Sequence, residues 1–185
     1  MAELQDIPDD WQHGDIAKVQ SICRGRSLAL DVGAHRGVVT KALLQYFDAV
    51  VAIEPSELAD QIEGAYVVRA CVADKPGRTG MADGKYNTGQ RHMADGDEYD
   101  VITIDSLELA PDFIKLDVEG MEYFALLGAE QTIRTHKPVI MLEENGLNRR
   151  YGVADGEPGR LLESWGAARV MVLRNGQDED WVYTW

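Results

Sequence analysis

One stretch constrains the fold of this chain more than any other: Leu28-Ala-Leu-Asp-Val-Gly-Ala-His-Arg-Gly37, followed by Val50-Val-Ala-Ile-Glu-Pro55. An apolar strand runs into a glycine turn, the turn opens a helix, and the next strand ends on an acid. Glycine lets backbone approach a ligand closely, and a carboxylate ending the second strand can accept hydrogen bonds from both hydroxyls of a ribose. The arrangement suits an adenosine-containing cofactor.

A dinucleotide site usually carries G-x-G-x-x-G, whose extra glycine seats the pyrophosphate on the helix amino-terminus. Here Gly33-Ala34-His35-Arg36-Gly37 lacks the middle glycine, and Asp31 precedes the turn on the strand itself. That carboxylate would repel an anion and attract a cationic amino-acid group. S-adenosylmethionine offers a ribose, an ammonium and a sulfonium, and no phosphate, so it suits this loop better than NAD. A Walker loop is excluded because no G-K-[ST] follows. The bland alternative is a strand–turn–helix corner without a ligand, against which Asp31, Gly33, Gly37 and Glu54 count together.

Three blocks carry a resemblance to a known family. They are Asp31-Val-Gly-Ala-His-Arg-Gly37 with Glu54-Pro55, then Ile104-Asp-Ser-Leu107, then Phe113-Ile-Lys-Leu-Asp-Val-Glu-Gly-Met-Glu122 leading to Lys137-Pro-Val-Ile-Met-Leu-Glu143. In this order, over positions 28 to 145, the chain resembles the FkbM family of S-adenosylmethionine-dependent methyltransferases. The K-[IL]-D-[VI]-E-G-x-E block is the specific one. His35 departs from the pattern, since the family more often has asparagine there. The resemblance implies O-methylation.

At 185 residues the chain is the size of one domain, able to bury about 70% of its unfolded surface without metal or disulfide. Cys23 and Cys71 sit in apolar contexts outside any C-x-x-C, as buried thiols of a reducing compartment would. No signal peptide and no apolar run of membrane-spanning length is visible, so the expectation is a cytoplasmic protein without a membrane partner. Net charge is −14, from 32 acidic against 18 basic residues. That balance argues against a nucleic-acid partner, whose phosphates need a basic face, and suits a small neutral or cationic acceptor. Amino-methylating nucleic-acid enzymes also place [DN]-P-P-[YFW] after the fourth strand, where this chain has Asp117-Val-Glu-Gly120.

From Leu28 onward strands and helices alternate, which predicts a parallel sheet with helices on both faces. Strands are expected at 28–32, 49–54, 66–72, 113–117 and 138–143, and helices at 37–47, 56–63 and 121–135. Residues 1–25 read as a polar lead and a short helix, with Trp11, Ile16, Val19 and Ile22 near helical spacing. Such a helix covers the cofactor site or packs on the sheet edge. Between 74 and 109 the alternation breaks, leaving Tyr99–Ile104 as a clear strand; an insertion near the acceptor site, as a hairpin or loop, is expected. Ala168–Arg174 and Trp181–Trp185, around a turn at Asn175-Gly176, read as an antiparallel pair. The expected architecture is a single domain over 1–185: an α/β, doubly wound, mostly parallel sheet of class I methyltransferase type (Rossmann-like), closed by a C-terminal antiparallel hairpin.

Ligands of open parallel sheets bind outside the carboxyl ends of the strands. The expected cofactor contacts are therefore Asp31, Gly33, Ala34, His35, Gly37, Glu54, Pro55, Ala73 and Asp117, with Glu54 as the ribose ligand. Asp74 could reach the adenine amino group, although Asp74-Lys-Pro-Gly77 is equally a turn sequence. Methyl transfer is an in-line displacement, so the protein has to align donor and acceptor and remove a proton. Asp117 and Glu119 are the expected catalytic carboxylates, close enough to raise each other's pKa. His92, in the insertion, is an outside candidate for base or acceptor contact. Glu122 reads first as an acid favouring a helix amino-terminus. Glu143 and Glu144 could join Asp117 in an oxygen-rich cation site, but nothing in the spacing demands a metal and none is expected. His13 and His136 read as surface or packing residues.

The expected function is methyl transfer from S-adenosylmethionine to a hydroxyl of a small molecule or sugar. Two competitors remain: an NAD-dependent oxidoreductase, disfavoured by the missing glycine and the terminal hairpin, and a non-catalytic S-adenosylmethionine-binding protein that kept the fold. Acceptor identity and oligomeric state stay open.

Overall fold

In a parallel sheet buried on both faces, each strand must be apolar throughout until its carboxyl end. The computed structural model, which describes residues 10–83, 91–175 and 178–185, follows that rule. In chain order its elements are α1 (Asp10–Gln20), β1 (Leu28–Val32), α2 (Val38–Leu43), β2 (Ala49–Ile53), β3 (Tyr66–Val68), β4 (Cys71–Val72), β5 (Gly77–Ala82), β6 (His92–Ile102), β7 (Phe113–Leu116), α3 (Glu122–Leu127), α4 (Glu130–His136), β8 (Val139–Glu144), α5 (Glu157–Ser164), β9 (Ala168–Asn175) and β10 (Asp178–Thr184). Short 3₁₀ turns occupy Glu57–Gln61, Ile104–Leu107 and Leu147–Tyr151.

Seven strands form one sheet in the order β3-β2-β1-β7-β8-β10-β9. The first five run parallel, and β10 enters antiparallel between β8 and β9. The doubly wound sheet and its closing C-terminal hairpin are thus as expected, although the hairpin turn at Gly176 lies outside the described residues. Strand order reverses between β1 and β7, which opens the crevice where ligands of such sheets bind. A second sheet, β4-β6-β5, holds the 74–109 segment as a hairpin of β5 and β6.

Side-chain alternation sorts the core. On one face Leu30, Ile114, Leu116, Ile140 and Leu142 meet Leu126, Ile133 and Leu162 from α3, α4 and α5. On the other, Ala29, Phe113, Val139 and Met141 meet Ile16 and Val19 of α1 with Val39 and Leu43 of α2. Continuing this second face by period two reaches Asp31 on β1, Lys115 and then Asp117 along β7, and Glu143 on β8. The polar cluster is therefore the carboxyl end of a sheet face whose remainder is hydrophobic core. α1 packs on this face rather than on the sheet edge.

Several expected elements are corrected. The 66–72 strand is two: β3 stays on the main sheet, whereas β4 crosses to pair with β6. The junction is Arg69, which donates to the Ser56 carbonyl at 3.2 Å and pairs with Asp60. The 121–135 helix breaks into α3 and α4 where Asp105 takes over its hydrogen bonds: the Asp105 amide donates to the Gly128 carbonyl at 2.9 Å and its carboxylate accepts from Gln131 and Thr132. The 37–47 helix is shorter, the 56–63 helix is a 3₁₀ turn, and the Tyr99–Ile104 strand is the end of a longer β6. Among the described residues no helix is long and apolar enough to cross a membrane.

Candidate active site

The glycine turn after β1 is stitched onto the end of β2. Gly33 and Ala34 both donate to the Ile53 carbonyl, at 2.9 and 3.1 Å. Gly33 (φ 80°), His35 (φ 52°) and Gly37 (φ 84°) are left-handed, and Gly37 caps α2. This conformation turns the His35 amide to donate to Glu54 Oε2 at 2.9 Å. Glu54 Oε1 accepts from the amide and hydroxyl of Ser56, at 3.0 and 2.5 Å. The carboxylate is thus buried and fixed at the end of β2, next to Pro55. Burial lowers the pKa of the His35 imidazole despite Glu54 nearby. β4 lies close, since burial and then the Glu54 charge push the Cys71 thiol up to about 12. Ala73, just past β4, is buried and donates to the Ile102 carbonyl at 3.0 Å.

Asp31 and Lys115 face each other in register. Asp31 is fully buried; its Oδ2 accepts a 2.6 Å hydrogen bond from Thr40, and its Oδ1 lies 3.8 Å from Lys115 Nζ with no hydrogen-bond partner. Lys115, 5% exposed, donates to Asp117 Oδ2 at 2.9 Å. Burial works against the ammonium, but Asp117 and Asp31 outweigh it and hold Lys115 above its ordinary pKa. The two acids respond differently. Complete burial raises Asp31 in spite of Lys115, whereas at Asp117 the raising effect of burial is overcome by Lys115 and a hydrogen bond from Glu143, so its carboxylate is held below the ordinary range. Glu143, held well above that range by burial and by Asp117, is the proton donor of that pair.

The loop after β7 adds two more acids. Glu119 is left-handed (φ 55°), and burial, then Asp117 and Glu122, push its carboxyl up to about 8. Glu122 is fully buried and accepts from the amides of Val118 and Gly120 at 2.9 and 3.1 Å. Burial raises it to about 7 although those amides oppose the shift. Asp117, Glu119 and Glu143 each present a carboxylate oxygen within 4.8 Å of the others. A cation would fit that spacing, but Lys115 and the Glu143 proton already balance part of the charge. Around this group, Arg150 donates to the Glu119 carbonyl at 3.2 Å, and Tyr151 donates to the Met93 carbonyl of β6 at 2.9 Å. The β5–β6 hairpin therefore packs against the loops after β7 and β8. The end of the hairpin where Ala82 pairs with His92 is tied to the loop after β2 by Arg91, which bonds Asp83 and Glu57.

The fold thus gathers Asp31, Gly33, Ala34, His35, Gly37, Glu54, Pro55, Asp117 and Glu119 at one end of the sheet. His92 opens β6 opposite Ala82 on the hairpin, next to Met93, whose carbonyl accepts from Tyr151 of the loop after β8. Lys115 received no role from sequence. The signal was available: a lysine inside an apolar four-residue strand must have a buried partner, and period two puts it on the face of Asp31 and Asp117.

Residues 31–176 match the family described as the methyltransferase FkbM domain. No curated protein sequence matches the chain. Among solved structures, the fold is similar to that of methyltransferase FkbM from Methylobacillus flagellatus KT, at 21% identity and a TM-score of 0.62 over 89% of this chain. The match spans 45% of that longer chain. It is also similar to a precorrin-6y C5,15-methyltransferase from Geobacter metallireducens GS-15, at 14% identity and a TM-score of 0.56 over 92% of this chain and 86% of the other. A S-adenosylmethionine-dependent methyltransferase from Aquifex aeolicus aligns at 16% identity and a TM-score of 0.54, over 97% of this chain and 93% of the other. At these identities the likeness is one of fold.

Proposed function

Since the chain belongs to the methyltransferase FkbM domain family, which implies S-adenosylmethionine as cofactor, we propose that it methylates a hydroxyl of a small molecule or sugar. The observation that carries this reading is Glu119, whose carboxyl, raised to about 8, lies within 4.8 Å of the Asp117 carboxylate, itself held below the ordinary range. A general base works best with a pKa near the operating pH.

The donor set fits the cofactor. Glu54 offers a fixed carboxylate to a ribose hydroxyl, and the orphaned Asp31 Oδ1 and the Asp117 carboxylate favour cationic groups over phosphate. When bound, S-adenosylmethionine supplies a methyl group already activated by its sulfonium. The chain then has three tasks. Glu54 and the left-handed turn hold the adenosine end. Lys115 keeps Asp117 ionised, which supports a cationic donor electrostatically. Glu119 takes the proton of the acceptor hydroxyl as the oxygen attacks. Asp117 is the weaker base of the two because Lys115 and Glu143 stabilise its charge.

The contact between Tyr151 and Met93 supports an acceptor side built from the β5–β6 hairpin and the loops after β7 and β8 of one 1–185 domain. The acidic balance supports an acceptor other than nucleic acid, the two free thiols support a cytoplasmic setting, and the charge balance at Asp117 supports a metal-free site.

Calorimetric titration with S-adenosylmethionine, S-adenosylhomocysteine and NAD, with Glu54→Ala alongside, tests the donor half. Micromolar binding of the first two, lost in the variant, is expected; binding of NAD alone would overturn the reading. Transfer of a labelled methyl group to a panel of hydroxylated acceptors tests the other half. Binding without transfer to any of them would favour the non-catalytic alternative.

A further inference from the structure

We propose that Glu122 is a positioning residue, whose buried carboxylate clamps the Asp117–Gly120 turn and thereby sets Glu119 for proton transfer. The inference rests on the reading of Glu119 as base. Glu119 is left-handed at φ 55°, a conformation that L-residues with a long side chain rarely adopt unless the surroundings impose it. Glu122 supplies that constraint. One oxygen, Oε1, accepts from Val118 and from Gly120, the amides on either side of Glu119. The turn has little room to relax elsewhere: a Cβ on Gly120 would stand 2.6 Å from the Leu147 carbonyl, and Arg150 holds the Glu119 carbonyl from outside.

An acid that merely favoured the start of α3 would sit at the surface, where the helix dipole is satisfied at little desolvation cost. Glu122 is fully buried, and its Oε2 has no hydrogen-bond partner. That cost is intelligible if the loop above it needs a fixed shape.

The test compares Glu122→Gln, which keeps an accepting oxygen, with Glu122→Ala. Amide hydrogen exchange is read at Val118 and Gly120, and the carboxyl of Glu119 is titrated by carbon-detected NMR, assigned with Glu119→Gln. The alanine variant is expected to lose about tenfold or more protection at both amides, the factor for one hydrogen bond. Its Glu119 should titrate nearer an ordinary glutamate, while glutamine rescues the protection. Should alanine not fold, Glu122→Asp, too short to reach both amides, takes its place. Unchanged exchange in the alanine variant, or equal loss in the glutamine variant, overturns the clamp and leaves the base reading standing. A Glu119 that titrates ordinarily in the unmodified protein overturns the base reading, and the exchange data still judge the clamp.

Discussion

Lys115 donates a 2.9 Å hydrogen bond to Asp117, two residues further along the same side of β7, where a hydrophobic sheet face turns polar. Asp31 stands opposite Lys115 on the neighbouring strand, 3.8 Å from it. Removing the cation leaves both carboxylates without their partner. Lys115→Met should cost about 3–5 kcal/mol, as breaking one side of a buried pair does. The loss should shrink on acidification, because the stranded carboxylates then titrate at raised pKa and their protonation relieves the uncompensated charge. Urea denaturation at neutral and mildly acidic pH reads both effects. Equal midpoints for variant and parent would show that solvent compensates the pair.

Glu119 and Glu122, raised to about 8 and about 7 from an ordinary 4.5, give stability and activity opposite pH dependences. The folded protein keeps protons that the unfolded chain releases. The stability these groups contribute is therefore complete below the unfolded value and disappears as pH rises through 7 and then 8. Denaturation midpoints should fall from about pH 5 to about pH 8.5, and less so in Glu119→Gln. With Glu119 as the proposed base, methyl transfer needs its carboxylate, so the rate should rise over the same window and level off above about pH 8. A rate that declines with pH there would remove Glu119 from the role of base.

Asp105 illustrates a motif residue with a structural task. It lies in the Ile104-Asp-Ser-Leu107 block, yet its carboxylate accepts from the amides of Gln131 and Thr132, at 3.1 and 2.8 Å, and so caps α4. Asp105→Ala should cost about 1 kcal/mol and lower Tm by about 2–4 °C for a chain of this size. Cofactor affinity should be unchanged. Scanning calorimetry and a parallel binding titration check the two halves.

The parts of this fold that could be read from sequence are those fixed by local pattern. β1, β2, β7 and β8 fall within one residue of their expected ends because apolar runs between turn residues leave little choice. The place of Glu54 at the end of β2 was legible for the same reason: it follows the last apolar residue of that strand. What the pattern could not show depends on distant contacts. The break between α3 and α4 answers to Asp105, which bonds the Gly128 carbonyl and the first amides of α4, and the split of β3 from β4 to the partners of Arg69. The opposite pKa shifts of Asp117 and Glu119 likewise depend on Lys115 and on Glu143 from the next strand of the sheet, which no spacing within the Asp117–Glu122 block records.

Gly33 is the sharpest case of such a distant constraint, and it separates two reasons for a glycine. By sequence its absent side chain reads as room for a ligand. In the fold, a Cβ at Gly33 would stand 1.7 Å from the Asp117 carbonyl oxygen, which belongs to backbone and cannot swing away. Gly37 has nearly the same φ, 84° against 80°, but a Cβ there would meet the Ile62 side chain at 3.1 Å. Alanine at Gly37 should therefore incur chiefly the left-handed penalty, about 1–2 kcal/mol. Alanine at Gly33 adds a backbone collision that only separation of β1 from β7 relieves, and should cost more than about 4 kcal/mol. That separation would also shift Asp117 relative to Glu54, so S-adenosylhomocysteine affinity should fall in Gly33→Ala well beyond its fall in Gly37→Ala. Denaturation and calorimetric titration of the two variants side by side decide the matter. Equal costs would mean that backbone conformation alone selects glycine at both positions, and that the contact between the turn and Asp117 is looser than the structure has it.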